Sequence, residues 1–264
     1  LDTVSRFMSE SAGADLEVLD TAFIESLDGN VLLSTVNGDV NINVGGLPAG
    51  LLVSALNGSI TIQSGRDLNI HNADIVADSD VTLTAVRNIF IDPSTVSAGV
   101  SELESDLTIT AGGWIIVDAS LLEAHDHVII TAGDDLSILN GSQILSNDLD
   151  SDQIGNVVLQ SIDGSVVITD SSVTATRNAT ILAAGDVTIT NSDVDANDGI
   201  LTVNAGGAVT LDDSSLSAFF GTYGPGNISI TGTLGVSLTN DASVTADGSA
   251  GISSGGDISL DGLI

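Results

Sequence analysis

The feature that most constrains this chain is a repeat of about 21 residues, in which short strands of alternating apolar and polar residues return at matched positions. In the segment Val187-Thr188-Ile189-Thr190, the two apolar side chains point to one side and the two threonines to the other. Matching segments begin at Leu68, Ile89, Ile115, Leu136, Val166, Val209, Val236 and Ile258. A second column of strands begins eight or nine residues before the first one, and a third, shorter strand follows it. A fixed period of this length indicates stacked structural units.

Two columns of characteristic residues accompany the strands. A small side chain recurs nine residues after each template position, with one residue inserted in two repeats, at Ala77, Ala98, Ala124, Ser146, Ala175, Ala196, Ala218 and Ala246. A polar side chain recurs four residues after each template position, at Asn72, Asn140, Asp170, Asn191, Asp213 and Asn240, with Pro93 and Ala119 as exceptions. We expect both columns to be structural corner ladders, with asparagine side chains hydrogen-bonding from one coil to the next.

Three strands per 21-residue turn, with apolar residues inside, predict an all-β fold, namely a right-handed parallel β-helix of nine or ten coils. At about 4.8 Å per coil, the rod is roughly 45 Å long. An antiparallel sandwich also has alternating strands, but it would not place alanine and asparagine in register. We expect residues 28–264 to form the β-helix. Residues 1–27 lack the repeat and are interpreted as a cap, a linker or an imperfect coil.

Composition limits the partners of the chain. Its 36 acidic residues face only four arginines, for a formal charge of −32. Binding to nucleic acid or to an anionic membrane surface requires cations, so neither partner is expected. The 42% content of hydrophobic residues is sufficient for a core, yet no apolar run is long enough to span a bilayer. The chain has no cysteine, which excludes disulfides and thiolate metal sites.

The runs Gly185-Asp186-Val187-Thr188-Ile189-Thr190-Asn191-Ser192 and Ala205-Gly206-Gly207-Ala208-Val209-Thr210-Leu211 resemble filamentous-haemagglutinin-type adhesin repeats of large bacterial exoproteins. The resemblance covers roughly residues 30 to 264. It implies a right-handed β-helix, export to the bacterial cell surface or the extracellular medium, and a role as a stalk or adhesive filament. The chain lacks the family's N-terminal secretion region and would correspond to an internal shaft segment.

The sequence contains few candidate catalytic groups. Arg66 and Arg87 lie 21 residues apart before equivalent strands and could neutralise a substrate carboxylate. Their alternative role is to balance nearby aspartates such as Asp67. Carboxylate pairs at the separation that glycosidases use arise by chance in so acidic a chain. We therefore expect no catalytic and no cofactor-binding residues, and a carbohydrate-active β-helix enzyme or a polysaccharide-binding module remains the alternative function.

Metal-binding residue types are present but scattered. His125-Asp126-His127 holds two histidines and an acid, which zinc can use, but no third ligand is identifiable and the segment is interpreted as a solvated turn. His71 has no evident partner. Alternating aspartates are typical ligands for calcium, and they occur at Asp148, Asp150, Asp152, Asp193 and Asp195. We expect no dedicated metal site and at most weak calcium binding at the surface.

Outward strand positions suggest surfaces for interaction. Threonines at positions such as Thr61, Thr82, Thr108, Thr180 and Thr202 form a column of the kind found in ice-binding solenoids, a third candidate function, but Ile129, Val158 and Leu182 interrupt the array. Together with three further outward apolar residues, the interruptions predict an interaction stripe along the rod. Its members are Phe90, Ile116, Ile129, Val158, Val167 and Leu182.

The chain ends at Ile264, just after a strand, with no polar capping element. Exposed strand edges are normally covered, so we expect the rod to continue into more protein or into another subunit. These observations predict a non-enzymatic structural or adhesive shaft of a bacterial surface filament that associates with copies of itself end-to-end or laterally. Host or matrix glycans are a further expected class of partner.

Overall fold

The computed structural model describes residues 7–18, 24–43, 51–99, 104–147, 155–221 and 224–261. They form three parallel β-sheets, and each coil of the chain contributes one strand to each sheet in turn. Every pairing between the strands is parallel and joins a strand to its equivalent in the next coil, for example β10 with β13. This is a parallel β-helix with three strands per coil, and the predicted fold is confirmed.

The first and second sheets have eleven strands each and the third has ten. The first sheet contains β1 (Phe7–Ala12), β4 (Asn30–Thr35), β7 (Ile60–Ser64), β10 (Val81–Ala85), β13 (Leu107–Ala111), β16 (Val128–Ala132), β19 (Val157–Ser161), β22 (Ala179–Ala183), β25 (Ile200–Ala205), β28 (Asn227–Gly232) and β31 (Ala250–Ser254). The second sheet contains β2 (Leu16–Val18), β5 (Val40–Ile42), β8 (Leu68–His71), β11 (Ile89–Asp92), β14 (Ile115–Asp118), β17 (Leu136–Leu139), β20 (Val166–Thr169), β23 (Val187–Thr190), β26 (Ala208–Asp212), β29 (Gly235–Thr239) and β32 (Asp257–Leu260). The third sheet contains β3 (Ile24–Ser26), β6 (Leu51–Ala55), β9 (Ala73–Ala77), β12 (Thr95–Ala98), β15 (Leu121–Ala124), β18 (Gln143–Ser146), β21 (Ser172–Ala175), β24 (Asp193–Ala196), β27 (Ser215–Ala218) and β30 (Ser243–Ala246).

The interior of the rod consists of stacked aliphatic side chains. Along most strands, buried and more exposed residues alternate, as Val187 and Ile189 alternate with Thr188 and Thr190 in β23. The register places equivalent residues of successive coils on top of one another, with Val187 between Val166 and Val209. Because one coil has no second layer to cover its apolar face, the neighbouring coils supply most of the burial. The free energy of folding is therefore spread along the whole stack.

The first coil includes residues that the sequence left open. Strands β1, β2 and β3 pair in register with β4, β5 and β6. Of the three interpretations of residues 1–27, the imperfect coil agrees with this pairing, and it raises the number of coils to eleven. No helix that is long and apolar enough to cross a membrane occurs in the described part of the chain.

Candidate functional site: corners, outer faces and edge of the rod

Three corners join the sheets, and each has its own hydrogen-bonding pattern. The first corner connects the first sheet to the second, the second corner connects the second sheet to the third, and the third corner leads from the third sheet into the next coil. The second corner is short, with one to three residues in every coil from β8 onward. The third corner varies from three to ten residues.

The predicted polar column lies at the second corner, where the backbone turns through the left-handed region. Its residues have φ between +46° and +55° and are Asn72, Asn140, Asp170, Asn191, Asp213 and Asn240. Asparagine and aspartate tolerate this conformation better than other residues with a side chain. Ala119 adopts it as well, with φ of +48°, whereas the fixed φ of Pro93 excludes it. The backbone conformation therefore accounts for the column.

The amides of this column do not form an asparagine-on-asparagine ladder. Asn191 donates from Nδ2 to the Asp170 carboxylate, whereas Asn140 and Asn240 donate to Asp118 and Asp212 at the ends of neighbouring second-sheet strands. The amide-to-carboxylate bonds still connect successive coils.

A buried serine ladder follows the left-handed residue, and sequence reasoning missed it. Ser192 Oγ accepts the backbone N–H of Ser171 at 3.1 Å and donates to its own chain at Thr190 O. In turn the Ser192 N–H donates to Ser214 Oγ at 3.2 Å. The same arrangement links Ser94, Ser120 and Ser142. The repeated Asp-Ser and Asn-Ser pairs in the sequence are the signal that could have revealed it.

The alanine column lies at the ends of the third-sheet strands. Neighbouring members pair in register, as Ala98 does with Ala77 and Ala124. Six of the seven alanines are buried, and Ala246 packs against the core from a partly buried position. The buried members are Ala77, Ala98, Ala124, Ala175, Ala196 and Ala218. A small side chain fits here because the chain leaves the sheet and turns.

The first corner carries a ladder of carboxylates. Asp39 Oδ1 accepts the backbone N–H of Asp67 at 3.1 Å, and Asp67 Oδ1 accepts that of Asn88 at 3.1 Å. The ladder is interrupted at Trp114. The backbone N–H of Trp114 donates to Asn88 Oδ1, but the indole side chain has no acceptor for a backbone N–H of the next coil. Glycines allow the close approach: a Cβ at Gly206 would lie 2.2 Å from the carbonyl oxygen of Ala184.

The two arginines that were considered for substrate binding belong to this ladder. Arg66 Nε lies 3.5 Å from Asp39 Oδ1, and Arg87 Nη2 lies 3.2 Å from Asp67 Oδ2. Each arginine therefore pairs with the aspartate of the preceding coil. Both guanidinium side chains are about half exposed, and the ion pairs place them along the ladder.

The third corner carries a similar ladder and the histidine pair. Asp106 Oδ1 accepts the N–H of His127 at 3.0 Å, and His127 Nδ1 accepts the N–H of Asn156 at 3.2 Å. Asp126 Oδ1 lies 3.0 Å from His127 Nδ1. Asp106, which the sequence did not connect to this segment, thus joins the group. His71 lies elsewhere, on the second sheet, with Nδ1 3.3 Å from Asp92 Oδ2.

The expected interaction stripe is divided between two sheets. All six residues are partly exposed. Phe90, Ile116 and Val167 lie on the second sheet, where Phe90 and Ile116 are direct neighbours. Ile129, Val158 and Leu182 lie on the first sheet, where Ile129 pairs with Val158 while Leu182 pairs with Gln160. The single stripe is therefore corrected to two separate patches, because the alternation fixes which side of a sheet a residue faces but not which sheet it belongs to.

The threonine and aspartate arrays are also placed by the register. The first outward column of the first sheet reads Thr61, Thr82, Thr108, Ile129, Val158, Thr180 and Thr202, so no unbroken threonine face forms there. Asp193 and Asp195 are on β24, and Asp195 accepts a hydrogen bond from Ser217. Asp148, Asp150 and Asp152 lie outside the described residues.

An open groove of about 690 Å³ lies near the second corner. It is lined by Thr190, Thr210, Asp212, Asp213, Thr239, Asn240, Asp241 and Asp261. The Asp212 carboxylate accepts hydrogen bonds from Thr239 and Asn240. The groove is thus an acidic, open extension of the corner.

The last coil presents an apolar strand edge. Ile258 and Leu260 of β32 occupy the inward positions of Val236 and Leu238 in the preceding coil. Val236 and Leu238 are buried, whereas Ile258 is 49% exposed and Leu260 is 42% exposed. Among the described residues, β32 has β29 as its only neighbouring strand in the sheet.

The haemagglutinin repeat family matches residues 35–140, 145–213 and 223–264, which is most of the chain. No curated protein and no solved structure gives a significant match. Members of this family are adhesin-type repeats of exoproteins that are typically secreted or held at the cell surface, and they are generally not enzymes. The resemblance seen in the strand–turn pattern is confirmed, and the chain belongs to the haemagglutinin repeat family.

Proposed function

We propose that this chain is a non-enzymatic shaft segment of a bacterial surface or extracellular adhesin, and that it associates end-to-end with copies of itself through the strand edges of its outermost coils. The observation that carries the proposal is the in-register stack of three parallel sheets along the described residues, in a chain of the haemagglutinin repeat family. An edge strand presents unpaired N–H and C=O groups together with its side chains, and this makes it a template for another strand. In association between copies, the strand that pairs with this edge comes from a second copy of the chain.

The rest of the surface is consistent with a shaft. The charge of −32 keeps rods apart laterally and soluble. The three continuous hydrogen-bonded sheets distribute an axial load over many backbone bonds. The ladders at all three corners add side-chain bonds between coils, as from Asp67 to Asn88 and from Ser192 to Ser171.

The test is sedimentation velocity over a concentration series, followed by electron microscopy of the same samples with and without calcium. The wild-type chain should form end-to-end species as its concentration rises. Ile258→Lys places a charge on the apolar edge and should keep the rods single. Ser259→Lys, on the neighbouring outward position of the same strand, is the matched control and should associate like the wild type.

Single rods of wild type at every concentration would overturn stacking between copies. Equal association of wild type and Ile258→Lys would show that another surface joins the rods. Added calcium should strengthen any association only as a screening cation does, because the proposal assigns calcium no site.

A further inference from the structure

The third corner brings together three side chains from two successive coils. Asp106 precedes β13, and Asp126 and His127 precede β16 one coil later. Two backbone bonds fix their positions: His127 N–H donates to Asp106 Oδ1 at 3.0 Å, and Asp126 N–H donates to Ser105 O at 2.9 Å. As a result, one ligand atom from each of the three residues lies within 4.8 Å of the other two.

The contacts of the His127 ring point to a cation. Nδ1 lies 3.2 Å from the backbone nitrogen of Asn156, within reach of its N–H. The same nitrogen lies 3.0 Å from Asp126 Oδ1, which is an acceptor. A proton on Nδ1 joins the two atoms as a hydrogen bond, and a metal ion that takes the place of this proton binds both atoms as ligands. The separation suits two ligand atoms that share one metal ion at bonds of about 2.1 Å.

We propose that Asp106, Asp126 and His127 bind one divalent transition-metal ion of the zinc class. An imidazole with two carboxylates suits such ions, whereas calcium prefers six to eight oxygen ligands. Asp126 is buried, with only 8% of its surface exposed, and the other two residues are half-buried. This partial burial strengthens the interaction of the ion with its ligands relative to that of an exposed aspartate pair. Water completes the coordination.

The ion would join two coils in the part of the rod where the third corner is longest. The corner between β12 and β13 holds eight residues, 99–106, and the one between β18 and β19 holds ten. Asp106 is the last residue of the first long corner, and Asp126 and His127 belong to the short corner that lies between the two long ones. A metal bound to the folded chain adds to stability in proportion to the logarithm of its concentration, so it would fasten the coils there.

The ladder itself supplies conservative variants for the test. Asparagine occupies the His127 position in the following coils as Asn156 and Asn178, where its Oδ1 accepts the next backbone N–H. His127→Asn and Asp106→Asn therefore keep an acceptor for the ladder while they remove a ligand. His71→Asn is the control, since it removes the His71–Asp92 pair, which lies outside the proposed site.

The experiment is isothermal titration of the untagged chain with Zn²⁺ alone at neutral pH, with Ca²⁺ as comparator. We expect one Zn²⁺ site per chain that is stronger than the background of surface carboxylates, and a loss of affinity of about tenfold or more in His127→Asn and in Asp106→Asn. His71→Asn should bind like the wild type. Zinc should also shift the backbone amide resonance of Asn156, because the ion takes the Nδ1 lone pair.

Two results would overturn the site: equal zinc affinity in wild type and His127→Asn, or no zinc binding above the background in wild type. Thermal melts without metal check that the variants keep the fold. Should one ligand variant fail to fold, the other one and the Asn156 resonance of the wild type still decide the question.

Discussion

The second and third corners of the rod perform the same turn in different ways. The second corner repeats a left-handed residue followed by a buried serine, as in Asn191-Ser192 and Asp213-Ser214. The third corner has three residues in some coils and ten in others, and it carries the histidine pair and the exposed Phe219 and Phe220. One corner thus maintains the stack, while the other accepts variation without breaking it.

The difference follows from where the backbone polar groups go. At the second corner, a buried N–H such as that of Ser171 depends on a serine hydroxyl of the next coil. At the third corner, the chain runs over the surface, where water can hydrogen-bond to backbone N–H and C=O groups that the ladder does not bond. Insertions are therefore tolerated at the third corner. New binding features can accumulate there, and the Asp106–Asp126–His127 group is one such feature.

The largest expected effect comes from lengthening each corner. Five Gly/Ser residues inserted after Asn191 would separate Ser192 from its partners and leave two buried N–H groups without acceptors, at a cost of about 2–4 kcal/mol. The same insertion after Asn147, in a corner that already holds ten residues, should cost about 0.5 kcal/mol. Chemical denaturation followed by circular dichroism measures both. Equal losses would remove the distinction between the corners.

A single hydroxyl sharpens the comparison. Ser192→Ala removes the acceptor of the Ser171 N–H while it keeps the backbone unchanged. We expect a loss of about 2 kcal/mol in the free energy of unfolding. Ser172→Ala is the control. Ser172 is half-buried and follows Ser171 in sequence, and its replacement should change the free energy of unfolding by less than about 0.5 kcal/mol. A Ser192→Ala variant as stable as its control would contradict the buried ladder.

The left-handed backbone gives the next effect. Asn191→Ala should cost about 1 kcal/mol, because alanine lacks the local hydrogen bonds that make this conformation acceptable for asparagine. Asn191→Gly separates the two causes, since glycine removes the amide but has no conformational penalty. If thermal unfolding shows the glycine variant to be as destabilised as the alanine variant, the bond to Asp170 and not the backbone is decisive.

One coil offers the reverse experiment. Ala119 holds a φ of +48° without a side chain suited to it, so Ala119→Gly should stabilise the chain by about 0.5–1 kcal/mol. Calorimetry of the two chains measures the change. A destabilised variant would mean that the methyl group contributes more by packing than its conformation costs.

The smallest effect is expected at the third corner. The side chain of Phe220 is 67% exposed, and its N–H donates to Asp247 Oδ2 whatever the side chain is. Phe220→Ser should therefore change the free energy of unfolding by less than about 0.5 kcal/mol. A loss of 2 kcal/mol in the same denaturation assay would show that this corner is part of the packed stack.

The sequence was sufficient for the stack because inward positions such as Val187 and Ile189 obey one rule in every coil, namely burial against the same residue above and below. It was insufficient for the outer surface. Whether Phe90 and Ile129 share a face depends on which sheet holds each strand. Likewise, Asp106 and His127 are 21 residues apart in sequence, and only the coil register makes them neighbours.

The corner ladders show a similar limit. The polar column could be predicted because asparagine and aspartate recur at one position of the repeat. Its cause, the positive φ angle at that position, could not be predicted from the residue types alone. The serine that follows could be read equally as a surface residue, since Ser is common at turns, and its burial appears only when the coils are stacked.

Hydrogen exchange followed by mass spectrometry tests the central claim most directly, namely that the rod is one continuous stack held at the second corner and free to vary at the third. Amides of the second corner, such as those of Ser171 and Ser192, should exchange only when the coils open, as slowly as the inward strands. Amides of the long third corners, such as that of the exposed Glu104, should exchange at least about a hundredfold faster. Equal protection at the two corners would contradict the account.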